Sequence, residues 1–271
     1  MTETPADDGG AQPESGEDPA TERDPATEQP PAIDRPSVLV PLAVLEGESL
    51  PNGTPELLAN AHVVLLGYHA IPEQTAAEQA REQFGETAMS KLDEFADRLA
   101  AAGAEVETRL VFTHDEEITI DRLIYEYGCL AVLVPNSTEC VDSVFVALRG
   151  TVGVGRNTRL VAGLFADGGV DVTLYHALDE GETPDDGESF LNGVKADLVE
   201  RGIAPDRIET LVEDADASID AIAGRAESHD AVVMGETDPS VTTFVFGMPS
   251  EQVAERFLGP VLVVQRERPE E

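Results

Sequence analysis

DAVVMGETDPSVTTFVFGMPSEQVAERFLGPVLVV, running from Asp230 to Val264, is the stretch whose reading decides the fold. It holds a short apolar strand from Ala231 to Met234, a loop opened by Gly235, a short helix with Val253, Ala254 and Phe257 on one side, and a second apolar strand from Pro260 to Val264. Apolar runs of this length without polar alternation suit strands buried on both faces, and a helix between two of them marks the end of a parallel α/β sheet.

Upstream, the same reading places strands at Ser143–Leu148, near Asp171 to Ala177 and at Ile208 to Val212. Helices are expected from about Asn157 to Ala166, from Glu188 to Arg201 with Gly202 after it, and from about Ala217 to Glu227 with Asp216 as its cap. Further upstream lie strands at Ser37–Leu42, His62–Ala70, Glu105 to Phe112 and Leu130 to Pro135. Thr54, Pro55 and Glu56 read as a helix start, with Thr54 as N-cap and Pro55 at the first helical position. A long helix is predicted from about Glu73 to Ala102, with Phe84, Ala88, Leu92, Phe95, Ala96 and Leu99 on its buried face, and Gly103 ends it in the left-handed conformation. A short helix follows at Thr119 to Tyr127. Strands alternating with helices require a parallel sheet with right-handed crossovers.

The pattern repeats itself. SVFVAL at Ser143 matches SVLVPL at Ser37, LYHAL at Leu174 matches GYHAI at Gly67, and AVVMGE at Ala231 matches AVLVPN at Ala131. Three matches in one order indicate an internal duplication. It divides the chain into a tail at 1–36, a first repeat at 37–142 and a second at 143–271. The first repeat is truncated: only Asn136 to Asp142 separate its fourth strand from the next repeat, so it lacks the last helix and fifth strand. His69 and His176 fall at matching places in the two YHA strings and read as shared structural residues rather than metal ligands.

Charge is the extreme feature of the composition: 54 Asp plus Glu stand against 17 Lys plus Arg, a formal net charge of −37. Self-repulsion on that scale strains a compact fold in dilute buffer and is screened where the Debye length falls to about 3 Å, near 1 M salt. A halophilic cytoplasm is the expected setting, an acidic protein of an ordinary cell the alternative. Nucleic acid is not an expected partner, because no basic patch could displace counterions. No run approaches the roughly 18 apolar residues of a membrane span, so membrane insertion is not expected either. Residues 1–36 hold ten acidic residues, seven prolines and a duplicated DPATE, the composition of a disordered acidic tail. Cys129 and Cys140 form no disulfide framework and no C-x-x-C site, and both read as core or near-core residues.

At this point the second repeat resembles a universal stress protein domain, through the opening strand Val144 to Leu148, the YHA, DAVVMG with its glycine loop, VAER at Val253 to Arg256 and PVLVV at Pro260 to Val264. The resemblance covers 143–264 well and 37–135 more loosely. It implies two Rossmann-like open sheets in 3-2-1-4-5 order, pairing through the fifth strand, in a family with both ATP-binding and non-binding members. The binding members resemble one another in a G-x2-G-x9-G-[ST] loop after strand four. Here Gly235 matches its first glycine, while Asp238 occupies the second and would bring negative charge toward a phosphate. Gly247 falls one residue short of the third glycine, Met248 and Pro249 follow it, and Ser250 is the hydroxyl that remains. The acidic residue expected after strand one is Arg149 in this repeat and Ala43 in the other.

Arg149, Arg156 and Arg159 lie close together beside Gly150, Gly153 and Gly155, where loops after strands one and four flank the topological switch point. One expectation is that Arg149 and Arg156 face the 235–250 loop and bind a small anion or an atypical adenine nucleotide, ATP or AMP. The other is that these arginines pair with carboxylates such as Asp238 and Glu236. The sequence has no G-x-S-x-G, H-E-x-x-H or Walker loop. The favoured function is a non-catalytic regulatory or stress-response protein acting through binding. The alternatives are an adenine-nucleotide binder with slow ATPase activity and an interaction module for a transporter or kinase. The fifth strand is expected either against the first repeat's sheet or paired between two chains in a homodimer.

Overall fold

The computed structural model describes residues 35–150, 153–214, 219–235 and 259–265. In chain order its elements are β1 (Ser37–Leu42), α1 (Thr54–Leu57), β2 (His62–Ala70), α2 (Ala77–Ala102), β3 (Glu105–Thr113), α3 (Glu116–Glu126), β4 (Ala131–Val134), β5 (Ser143–Leu148), α4 (Val154–Phe165), β6 (Asp171–Ala177), α5 (Pro184–Glu200), β7 (Ile208–Glu213), α6 (Ile219–Ala226), β8 (Ala231–Gly235) and β9 (Val261–Val264). The helix expected around Val253 to Phe257 and the Asp216 cap lie outside the described residues.

The nine strands make one sheet in the order β3-β2-β1-β4-β9-β8-β5-β6-β7. Each half places its first strand between its second and fourth, with its third at the edge. Neighbours run parallel throughout except at the centre, where β9 is parallel to β8 but antiparallel to β4. Leu262 is thereby level with Val233 on one side and Leu133 on the other. Of the two places expected for the fifth strand, the structure takes the one inside the chain, against the first half's sheet.

Strand alternation sorts side chains onto two faces. On one face a single core runs across both halves, with Val40, Leu65, Leu133, Leu262, Val146 and Leu174 packed beneath α1, α2, α4 and α5. The other face is divided. Leu39, Val64 and Val132 pack against Ile120 and Ile124 of α3, whereas Phe145, Tyr175, Val232 and Val263 pack with Ile222 and Ala226 of α6.

Several helix ends differ from the expectation for identifiable reasons. Thr54 is not the cap of α1: Gly53 takes that place at φ 79°, and Thr54 is a buried helical residue. A Cβ at Gly53 would lie 2.6 Å from the Thr138 carbonyl oxygen, so the position needs glycine for space as well as conformation. α2 starts at Ala77, because Pro72 to Thr75 close a turn through Thr75 N to Pro72 O. Gly103 ends it at φ 115°, as expected. Phe84 is 38% exposed rather than buried, its ring edge-on to His69 at 6.1 Å. α3 begins earlier than expected because Asp115 accepts from Ile118 N at 3.0 Å. α5 begins at Pro184, preceded by a complete capping box between Thr183 and Asp186. Cys129 is buried, but Cys140 is exposed on the β4–β5 connector and is not a core residue.

Candidate functional site

In the second half the carboxyl ends of β5 and β8 lie side by side, since Ala147 pairs with Met234. The chain leaves β5 through Arg149 and two left-handed glycines, Gly150 at φ 60° and Gly153 at φ 78°, and turns into α4. α4 has no side-chain cap and no acidic residue in its first turn. By contrast, α3 and α5 have side-chain caps, from Asp115 and Thr183, and acidic first turns. The amides of a helix start favour negative charge, and here no carboxylate of the first turn supplies it.

The start of α4 is firmly held. Asn157 is buried and donates from Nδ2 to Gly153 O at 3.1 Å, while Thr158 hydrogen-bonds Asp197 of α5 at 2.5 Å. Arg156 donates from Nη2 to the carbonyl of Cys129 at 3.3 Å, reaching the residues that precede β4 in the first half. Arg149 lies 3.8 Å from Asp179, with both side chains about half exposed, at 50% and 53%. Among the described residues a carboxylate beside Arg149 comes from the turn after β6, while Glu236 and Asp238 lie outside them. Gly235 closes β8, while Asp238, Gly247 and Ser250 lie outside the described residues.

Behind Arg149 stands a residue whose role the sequence only half revealed. His176 is 1% exposed, with Nδ1 3.1 Å from Leu148 O and Nε2 2.9 Å from Glu182 Oε2. The same carboxylate oxygen accepts from Asp179 N at 2.9 Å. These contacts, the Asp179 amide first and His176 next, hold the Glu182 carboxyl below its ordinary range.

The strand register corrects the expected equivalence of the two histidines. His176 pairs with Leu148 at the end of β5, whereas the residue opposite the end of β1 is Gly67, two places before His69. The helices compensate. A Cβ at Gly67 would lie 2.6 Å from Leu92 of α2, and one at Gly187 of α5 would lie 3.3 Å from the His176 ring. One half pairs glycine on the strand with leucine on the helix, and the other sets a histidine on the strand near a glycine on the helix. His69 is left half-buried between Phe84 and Phe112, its buried Nδ1 3.9 Å from Glu46 and without a hydrogen bond among the described residues.

The first half's corresponding region is anionic. Burial first, then Glu48, Glu116 and Glu46, push the Tyr68 phenol up, and burial followed by Glu46 and Glu48 raises the Glu116 carboxyl. A cleft of about 960 Å³ lies between Asn52 and Gly53, the last turns of α2 at Arg98 and Ala102, and the connector at Ser137 and Thr138. Arg98 donates to Leu50 O at 3.2 Å. Among the described residues no group of three or more His, Cys, Asp or Glu is disposed to hold a metal ion, and no helix is long and apolar enough to cross a membrane.

No protein-family model matches the chain, and no curated protein matches its sequence. Solved structures do. A universal stress protein from Archaeoglobus fulgidus DSM 4304 superposes with a TM-score of 0.56 over 86% of this chain and 97% of its own, at 16% identity. A universal stress protein from Archaeoglobus fulgidus in complex with dAMP matches 46% of this chain and 97% of its own, at 19% identity and TM-score 0.34. A protein of the universal stress protein family from Burkholderia pseudomallei matches 45% and 95%, at 19% identity and TM-score 0.34. The first superposition takes in most of both chains, and on it this chain has the universal stress protein fold.

Proposed function

We propose that the chain is a non-catalytic regulatory or stress-response protein of the universal stress type, which acts by binding a small anionic ligand of the adenine-nucleotide class, AMP or ATP. The observation that carries this reading is the start of α4: an uncapped helix without a first-turn carboxylate, entered through Gly150 and Gly153 and flanked by Arg149, in a chain where acids outnumber bases 54 to 17. It lies at the switch point beside β8, where open α/β sheets bind ligands. The ligand belongs to the second half, because the first half sets Glu46, Glu48 and Glu116 close together in the corresponding region.

In the same proposal the chain is a tandem of two repeats, 37–142 and 143–271, supported by the mirrored strand orders on either side of β9. Its setting is a salt-rich cytoplasm, for which the net charge of −37 argues. The test is calorimetric titration of the full chain with AMP and with ATP in molar KCl, wild type against Arg149→Ala. Binding by wild type, weakened by at least several-fold in the variant, is expected; no heat from wild type with either nucleotide would end the nucleotide reading.

A further inference from the structure

We propose that Asp179 is a built-in competitor for the Arg149 guanidinium, held in place by a latch in which buried His176 grips Glu182. The proposal rests on the reading of the α4 start as an anion site and adds a means of restraining it. Arg149 is the cation at the end of β5, and the carboxylate facing it at 3.8 Å belongs to the β6–α5 turn. An anion arriving at Arg149 meets a side chain that already has a negative partner.

The turn is organised so that this partner stays. Glu182 N donates to Asp179 O at 3.0 Å, and Asp179 N donates to Glu182 Oε2 at 2.9 Å, so residues 179 and 182 are bound reciprocally. His176 fixes that unit to the sheet through Glu182 at 2.9 Å and through Leu148 O at 3.1 Å. Leu148 is the residue before Arg149, so one imidazole ties the strand end carrying the arginine to the turn carrying its competitor. The space for the ring is specific to this half. Leu178 and Val212 would each lie 2.8 Å from a Cβ at Gly187, with His176 at 3.3 Å, so glycine on α5 lets the helix sit close to the latch.

The strength expected of the competition follows from exposure. A half-exposed pair of this length is worth at most about a five-fold change in an equilibrium, and salt reduces it. The experiment titrates the full-length protein with AMP, and separately with inorganic phosphate, comparing wild type, Asp179→Asn, Asp179→Ser, Glu182→Gln and Glu180→Gln. Asp179→Asn and Asp179→Ser are expected to tighten AMP binding about two- to five-fold. Glu182→Gln should act in the same direction, while Glu180→Gln, which removes the same charge one residue away, should not. The gain should vanish when Asp179→Asn is combined with Arg149→Ala. Equal affinities for wild type and both Asp179 variants would overturn the competitor while leaving the anion site standing. So would an equal gain from Glu180→Gln. Absence of binding in wild type and every variant would instead remove the site itself.

Discussion

Arg207 shows one use of the scarce cations of this chain. Its guanidinium donates to the carbonyls of Phe165, Gly168 and Val170, gathering the chain at the end of α4 and the start of β6. Both lysines act alike, Lys91 on Val44 O at 3.0 Å and Lys195 on Ile208 O at 2.6 Å. Charge-assisted hydrogen bonds to backbone carbonyls survive molar salt better than surface ion pairs do. Arg207→Ala should therefore cost about 2 kcal/mol in urea unfolding at high KCl, with Arg207→Lys recovering only part. The two thiols separate by burial. The Cys129 thiol is pushed up to about 11, chiefly by burial, so a thiol reagent should modify Cys140 in the native protein and reach Cys129 only on unfolding. Glu182 has the opposite sign of shift. With its carboxyl depressed in the folded state, its contribution is present above the ordinary glutamate range and lost as pH falls through the depressed value. Acid titration of stability should show a loss in wild type that Glu182→Gln lacks.

At the scale of elements, close approaches make sharper predictions than burial does. Gly67→Ala would place a methyl against Leu92 and should destabilise by about 1–3 kcal/mol, as read from thermal or urea unfolding. Gly53→Ala should cost at least as much, since it also forces a left-handed alanine at φ 79°. These elements also mark where the sequence was readable. The buried strands announced themselves as short apolar runs, and SVLVPL and SVFVAL do sit at corresponding places in the two halves. The YHA strings were misleading, because a slip of two residues keeps every side chain on its face, so periodicity cannot set the register. The start of α5 was read too late, at Glu188, because the capping pattern of Thr183, Pro184 and Asp186 stands ahead of the apolar periodicity that marked the helix. The cap of α1 was not legible, since nothing local distinguishes Thr54 as a cap from Thr54 as a buried first residue. At the candidate site, Arg149 and the glycines of the β5–α4 turn stood out by composition. Its partner Asp179 did not, because it comes from a separate turn brought near by the β5–β6 pairing.

For the whole molecule, the decisive feature is β9, the central strand of the sheet, bonded on one side to its own half and on the other to the first. Its apolar run suits both sides, and a run apolar on both faces does not say which neighbour it takes or in which direction. The consequence is that both edges of the strand are used within one chain, and the two halves of the sheet should unfold as one cooperative unit around Val261–Val264. Val263→Pro removes a donor from the middle of the sheet and should unfold both halves together, seen as parallel loss of helical signal and of Cys129 protection. Hydrogen exchange of the β9 amides tests this most directly. In molar KCl the ladder-bonded amides within Val261–Val264 should belong to the slowest class, exchanging only with global unfolding, at rates independent of protein concentration. Fast exchange there, or protection that grows as the protein is concentrated, would mean that β9 finds its partner in another chain and would contradict the account.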